Sequence, residues 1–337
     1  MGAGGIVRDA HLPAYRKAGF RVAGIYDVDT AKAEALAGEY AIPVVYRSMT
    51  GVGSAPENTA FDLATPPEAF PELLSCLPLG AAVLLQKPMG HTLAQARTIL
   101  DACRAKRLKA AVNFQLRFAP AIVKARQMIE QGGIGDLHDM EVRVTVYTPW
   151  HLWSFLERAH RLEIVYHSIH YVDLIRSFLG DPARVYARTL KHPSNPGLAS
   201  TRSNIIMDYG DLVRANITTN HGHVYGQQHQ ESYVKWEGTR GAIKVGLGVL
   251  MDYPKGRPDT FEYIILENGK EPEWRTDKVE GNWFPDAFIG TMSSLLAFAS
   301  GETNVLPTAV DDALKTMAVV ESAYESNAHG GVPVVYK

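Results

Sequence analysis

The sequence predicts a two-part fold, α/β followed by α+β: a doubly wound parallel-sheet domain over residues 1–118, then a second domain over 119–337 built on an antiparallel sheet. Two patterns carry that prediction. Short apolar runs alternate with helix-like stretches through the first 118 residues, as strands and crossover helices do in a parallel sheet. Beyond Gly180-Asp181-Pro182 the repeat shortens to strand-length segments parted by turn signals, as in an antiparallel sheet with one free face. Composition agrees: 337 residues, 46% hydrophobic and 21% charged, are ordinary for globular protein, with length for about two domains.

Charge and cysteine usage exclude several classes. Lys+Arg 34 against Asp+Glu 36 leaves a formal charge of -2, so no nucleic acid or anionic membrane partner is expected. Cys76 and Cys103 fit no metal or redox spacing and are too few for a disulfide scaffold. A reducing, cytoplasmic setting is the expectation. No apolar run nears the ~20 residues of a membrane span, and no basic-then-apolar signal peptide opens the chain.

The chain begins Met1-Gly2-Ala3-Gly4-Gly5-Ile6-Val7. Gly2-x-Gly4 ahead of a helix-compatible stretch matches a dinucleotide fingerprint, whose glycines turn tightly and let backbone N–H groups approach a pyrophosphate. Val7 stands at its third position, where a small residue is usual. Residues 21–27 read as a strand ending in Asp27. A carboxylate there, about 20 residues on, holds the ribose hydroxyls of NAD and repels the 2′-phosphate of NADP. Asp29-Thr30 then start a helix reaching residue 40. The fingerprint should follow a central strand, and too little chain precedes Gly2 to form one. A parallel sheet without that strand would leave unpaired backbone and a void. The first strand is therefore expected to be missing, and the chain to be incomplete at its N-terminus.

Residues 60–64 form the next strand, closed by Thr65-Pro66-Pro67, a rigid turn placed to line the cofactor cleft. A helix over 68–77 leads to residues 81–85, an unbroken apolar run that ends in Gln86-Lys87-Pro88 and Gly90. So short a run reads as a strand buried on both faces. It delivers Lys87 to the carboxyl edge of the sheet, where ligands sit in open α/β folds. Lysine is rarely buried unless paired, so Lys87 is read as functional. A helix over 93–107 and a strand over 109–114 complete the domain.

In the second half, a strand over 139–145 leads into Tyr147-Thr148-Pro149-Trp150-His151-Leu152-Trp153. Trp150 and Trp153 are either a core plug or a stacking wall for a sugar's C–H face. Residues 161–179 form a helix apolar around most of its circumference. At about 100° per residue, Glu163, Tyr166, His167, His170 and Asp173 fall within an arc of roughly 120°. Unpaired buried polar groups are expensive, so this stripe should face a cavity and form an active-site wall. Strands follow over 184–190, 203–207, 212–220, 229–237, 242–245 and 261–266, with a hairpin turn at Asn268-Gly269. Their free face is the expected surface of a homodimer or homotetramer. His221, His223 and His229 lack an acid or cysteine to complete a metal site and are read as hydrogen-bonding surface histidines; no metal is expected. Trp283-Phe284-Pro285-Asp286 opens a helix to residue 299, and Thr308-x-x-Asp311 has the form of a capping box for the last helix, which would pack back on the sheet or the first domain.

Together the motifs resemble the glucose–fructose oxidoreductase, inositol 2-dehydrogenase and rhizopine-catabolism family, Gfo/Idh/MocA. The residues are Gly2-Ala3-Gly4-Gly5-Ile6, His11-Leu12-Pro13-Ala14, Asp27, Ala64-Thr65-Pro66-Pro67, Lys87-Pro88, Asn113 with Arg117-Phe118-x-Pro120, and Ser168-Ile169-His170-Tyr171-Val172-Asp173. Glu237-Gly238-Thr239-Arg240-Gly241 and Tyr324-Glu325-Ser326 extend the likeness over nearly the whole chain. The resemblance implies a Rossmann domain joined to a large open antiparallel sheet, and sugar or polyol redox chemistry with NAD(P). It places Gly2, Gly4, Gly5, Ile6, Asp27, Thr65, Pro66, Pro67, Gln86, Lys87 and Asn113 on the cofactor. Arg117, Trp283 and Asp286 become substrate candidates beside Trp150, Trp153, Glu163, Tyr166, His167 and Asp173.

Two positions depart from the family pattern. Its Glu-Lys-Pro is Gln86-Lys87-Pro88 here, and the acid of its Asp-x-x-x-His pair is Tyr166, four residues before His170. Glu163 or Asp173 would restore the negative charge, or Tyr166 would itself bond the substrate. The chemistry asks for a base for a hydroxyl proton, which His170 suits near neutral pH, and a cation beside the developing alkoxide, which Lys87 supplies. The expectation is an NAD-dependent sugar or polyol dehydrogenase, with an aldose oxidised at C1 to its lactone as one form, in which Lys87 and His170 meet over one nicotinamide ring. An NAD-assisted glycosidase and a non-catalytic dinucleotide and sugar sensor are the alternatives.

Overall fold

Ala82–Leu85 is buried at every residue, as a strand covered on both faces must be. This strand, β2, lies between β1 (Ala60–Leu63) and β3 (Lys109–Val112) in a parallel sheet. The computed structural model describes residues 1–253 and 255–333. The chain divides into two units, Met1–Ala119 with Trp283–Met317, and Pro120–Asn282 with Ala318–Lys337.

In the first unit, crossover helices Phe70–Cys76 and Leu93–Ala105 connect the strands. The side-chain oxygen of Thr92 accepts the Gln95 N–H at 3.2 Å and caps the second of these. Asp29 caps Thr30–Tyr40 in the same way through the Lys32 N–H. Helix Asp286–Ser300 packs on this sheet, setting Phe288, Met292 and Leu295 into one core with Leu84 and Ala111. Gly290 allows that approach, because a Cβ there would sit 2.5 Å from the Phe118 Cβ.

Residues 21–27 differ from the strand expected of them. They run extended but make only one parallel bridge, Ile25 to Val45. The physical reason lies on their other side, where among the described residues no strand fills the space between them and β1.

The second unit carries eight strands: β4 (Leu137–Thr145), β5 (Arg184–Leu190), β6 (Arg202–Asp208), β7 (Arg214–Asn220), β8 (Glu231–Gly238), β9 (Gly241–Gly246), β10 (Thr260–Ile265) and β11 (Arg275–Asp277). Their order is β11-β10-β9-β8-β4-β7-β6-β5. Every pairing is antiparallel except β4 with β7, so the sheet is mixed rather than wholly antiparallel. Burial alternates along β5 to β8, which leaves one face open. Tyr186 and Ile206, directly opposite across β5 and β6, stand on it 52% and 53% exposed. The capping box expected at Thr308 does not form: the last helix begins at Val310, and the Thr308 hydroxyl is buried without a hydrogen-bond partner among the described residues. The Thr308 carbonyl instead accepts the Val112 N–H at 2.8 Å.

Candidate active site

Leu63, Leu85 and Val112 lie in register at the carboxyl ends of β1, β2 and β3. Thr65 and Lys87 therefore project from one edge, with Asn113 one residue past its strand. The Thr65 hydroxyl and the Asn113 side-chain carbonyl are both buried there without a hydrogen-bond partner among the described residues. Burial pushes the Lys87 ammonium down to about 8.

The glycine turn reaches the same edge. Met1 accepts the Ala64 N–H at 2.8 Å, and the Gly2 N–H donates to Tyr26 at 2.7 Å. Gly2 has φ +100°, and a Cβ on it would lie 2.4 Å from the Ala64 carbonyl. A Gly2→Ala change is therefore expected to strain the turn by about 1–3 kcal/mol and to weaken NAD at least ~10-fold, read by calorimetric titration. Nothing lies within 4 Å of a Cβ built on Gly4, so the backbone is open to a ligand there. A helical stretch starts at Gly5, and the Gly4 carbonyl takes the N–H groups of Val7 and Arg8. The N–H groups ahead of Val7 have no acceptor inside the helix. Asp27 braces this turn, one oxygen accepting the Ala3 N–H at 2.6 Å and the other the Asp29 N–H at 2.8 Å. Each oxygen keeps a lone pair for a further donor. A bare helix start, a side-chain-free turn and two orphaned polar atoms fit a dinucleotide.

Beneath this edge lies a polar hub that sequence reasoning missed. His11 is fully buried; its Nδ1 lies 2.6 Å from Asp62 Oδ2, and Tyr15 donates its hydroxyl to that same oxygen at 2.6 Å. Burial alone would raise the Asp62 carboxyl, but His11, the N-terminal amine and Tyr15 together hold it below the usual range. Burial, with Asp62 beside it, pushes the Tyr15 hydroxyl well up. Gln86 closes the hub. Its Oε1 accepts the Lys87 N–H at 2.8 Å, which leaves Nε2 to donate to His11 Nε2 at 3.1 Å.

In the second unit the expected helix over 161–179 is interrupted by a π-helical turn, Ile164–Ser168, ahead of Ile169–Leu179. The wider turn breaks the 100° spacing on which a continuous polar stripe depends. Glu163 and Asp173 are buried, His170 is 7% exposed, and Tyr166 and His167 are half-buried. Ser168 donates to Glu163 Oε1 at 2.8 Å, and His221 Nε2 lies 3.5 Å from that oxygen, an electrostatic contact rather than a hydrogen bond. His221 is thus not a surface residue: it is 1% exposed, with Nδ1 2.9 Å from the Thr148 hydroxyl and its ring 4.5 Å from His167. Among the described residues no group of three or more His, Cys, Asp or Glu could hold a metal ion. Arg161 binds Glu321 through two nitrogens at 2.9 and 2.7 Å, while Tyr324 accepts the Val165 N–H at 3.3 Å. Burial first, and then the Glu163 charge, push the Tyr171 and Tyr324 hydroxyls up.

The remaining candidates are placed as follows. Trp150 is buried with Leu156, Leu162 and Leu198, and Trp153 and Tyr166 pack on that cluster. In the first unit, Arg117 donates to Asp312 at 2.7 Å and to the Pro307 carbonyl at 2.9 Å, Asp286 pairs with Lys17, and Trp283 is buried.

A parallel sheet with a glycine turn and a half-buried lysine on its carboxyl edge defines a dinucleotide-dependent oxidoreductase. Comparison with known proteins agrees. The profile of the GFO/IDH/MocA oxidoreductase family, NAD-binding Rossmann fold, matches residues 1–114, and that of its C-terminal domain matches 122–244. The chain belongs to this family, and its cofactor is NAD. It is 24% identical to a D-apiose dehydrogenase of Rhizobium rhizogenes, over 93% of this chain and 89% of that protein. A second D-apiose dehydrogenase, from Paraburkholderia graminis, is 28% identical, but the match spans 53% of this chain and 48% of the relative. In fold the chain is similar to an oxidoreductase from Agrobacterium radiobacter solved with NAD+, L-tartaric acid and magnesium, with TM-score 0.80 and 20% identity over 98% of this chain and 95% of that one. No helix among the described residues is long and apolar enough to cross a membrane.

Proposed function

We propose that the protein is a cytoplasmic NAD-dependent dehydrogenase of a sugar or polyol, oxidising a carbinol to a carbonyl, with an aldose taken at C1 to its lactone as one form. The observation that carries this reading is Lys87, a half-buried lysine at the mouth of a strand buried throughout, its ammonium pushed down to about 8. A group poised near neutrality on a ligand-bearing edge has the properties of catalytic machinery. The sugar class rests on the D-apiose dehydrogenases to which the chain is similar.

When bound, NAD would supply the hydride acceptor. Gly2, Gly4, Gly5 and Ile6 offer backbone N–H groups to the pyrophosphate, and Thr65, Pro66, Pro67, Gln86 and Asn113 shape the rest of the cofactor cleft. Asp27 takes the ribose hydroxyls and disfavours NADP. Lys87, as a cation, favours the developing alkoxide. His170 takes the hydroxyl proton, with Tyr166 bonding the substrate in place of the family's acid. Turnover of a panel of aldoses and polyols, followed by NADH absorbance with NAD and then NADP, tests this. Absence of NADH with every member would end it, and a preference for NADP would end the role given to Asp27.

We extend the proposal to assembly: Tyr186 and Ile206 on the open sheet face bury against a second copy. Tyr186→Lys with Ile206→Lys is expected to shift the mass measured by light scattering to that of one chain. An unchanged mass would remove this face from the interface.

A further inference from the structure

The helix that carries His170 is anchored on both sides within the second unit. Ahead of it, Arg161 grips Glu321 through two nitrogens, and the Tyr324 hydroxyl accepts the Val165 N–H. Further along, Arg176 donates to Asp181 at 2.9 and 2.6 Å, and Arg126 donates to the Ser177 carbonyl and hydroxyl at 3.0 and 2.6 Å. Between these anchors lies the π-helical turn Ile164–Ser168, closed by the Ile169 N–H reaching back five residues to the Ile164 carbonyl. Such a turn holds one residue more than an α-helical one. Were it to relax to an α-helix with the leading anchor fixed, His170 would rotate by about 100° and shift along the axis by about 1.5 Å.

One side-chain hydrogen bond belongs to the π form alone. Ser168 donates to Glu163 Oε1 at 2.8 Å and lies 3.1 Å from Oε2. On a regular α-helix residues five apart point roughly 140° away from each other, and only those three or four apart are neighbours. The wider turn brings Glu163 and Ser168 to one side. Both are fully buried, so water offers neither a replacement partner, and leaving such a bond unmade is expensive. His221 faces the same carboxylate, its Nε2 3.5 Å away and its Nδ1 2.9 Å from the Thr148 hydroxyl.

We propose that Glu163 and Ser168 are positioning residues: their hydrogen bond holds the π-helical turn, and the turn aims His170. The inference rests on His170 being the base of the proposed dehydrogenase. Isolated π-turns inside α-helices are frequent at functional sites, and this one ends two residues before that base. Neither positioning residue touches the reacting atoms; each acts through the backbone that carries the imidazole.

The test uses the full chain carrying Ser168→Ala, Glu163→Gln or His170→Ala, and Ser168→Ala combined with His170→Ala. Hydrogen exchange at the Ile169 amide, the donor of the π bond, should quicken at least ~10-fold in Ser168→Ala. It should stay near the parent's in Glu163→Gln, which keeps an oxygen for the Ser168 hydroxyl. With NAD and the best substrate of the sugar panel, Ser168→Ala should lower kcat about 10²-fold, the scale of a 1 Å misplacement, with KM within a few-fold. Glu163→Gln should hold kcat within a few-fold. His170→Ala should cost the parent about 10²–10⁴-fold, but the Ser168→Ala enzyme less than ~10-fold more, because a misaimed base has little left to lose. Unchanged exchange at Ile169, or an equal loss in Glu163→Gln, would overturn the proposal. So would an undiminished kcat in Ser168→Ala, or costs of the two alanine changes that multiply. A parent idle on every sugar ends the dehydrogenase reading and the aiming of a base with it, while exchange at Ile169 still judges the turn.

Discussion

A Lys87→Met enzyme is expected to turn over about 10²–10⁴-fold more slowly than the parent, with its NAD affinity within a few-fold. Methionine keeps the apolar stem and removes only the cation, so the loss reports the charge at the reacting oxygen. The pH profile supplies an independent check. Burial lowers the Lys87 ammonium from 10.5 to about 8. If the cation is the working form, kcat/KM falls as pH rises through about 8, and that limb vanishes in the variant. Stability moves the opposite way. The unfolded chain holds this proton up to 10.5 and the folded chain only to about 8, so stability rises with pH between those values. The contribution is complete above the unfolded value and lost as pH falls through the folded one. The methionine variant should lose that slope, seen in urea midpoints across the window, and unaltered turnover would remove Lys87 from the chemistry.

Glu163→Ala should destabilise the protein by about 2–4 kcal/mol, from a lost acceptor for Ser168 and a cavity left by the carboxylate. Glu163 is fully buried, so solvent offers no replacement partner. Glu163→Gln retains the size and an oxygen for the Ser168 hydroxyl, and about 1 kcal/mol or less is expected of it. Denaturant midpoints distinguish the two. Equal losses would mean that the charge facing His221, rather than packing and hydrogen bonding, sets the cost.

Local chemistry made much of this molecule legible in advance. The apolar run closed by Pro88 and Gly90 marked β2 and the edge carrying Lys87, because burial on both faces leaves no room for alternation. Partners were harder to read. Seven of the second unit's eight strands are visible one by one, the short β11 being the exception, but nothing local tells β4 to take β7 in parallel. Likewise, no short-range signal marks Trp283–Met317 as part of the first unit, because docking of a distant segment is decided by the surface that receives it. The π-helical turn escaped because a helix was assumed to keep one period. His221 was in reach: Ala215, Ile217 and Thr219 are the buried positions of β7, and the next step of two is His221. The roles of His11 and Asp62 were hidden because each looks ordinary until the other is beside it.

The His11 imidazole has a thermodynamic consequence. It sits on the helix that the glycine turn launches, grips β1 through Asp62, and reaches Gln86, whose carbonyl oxygen fixes the Lys87 backbone. One ring is thus the keystone between the cofactor's anchor and the ammonium. Any ligand that shifts the turn works against the same ring that sets the lysine's posture. Coupling of this kind is reciprocal: whatever dinucleotide binding does to the proton on Lys87, that proton does in equal measure to dinucleotide binding.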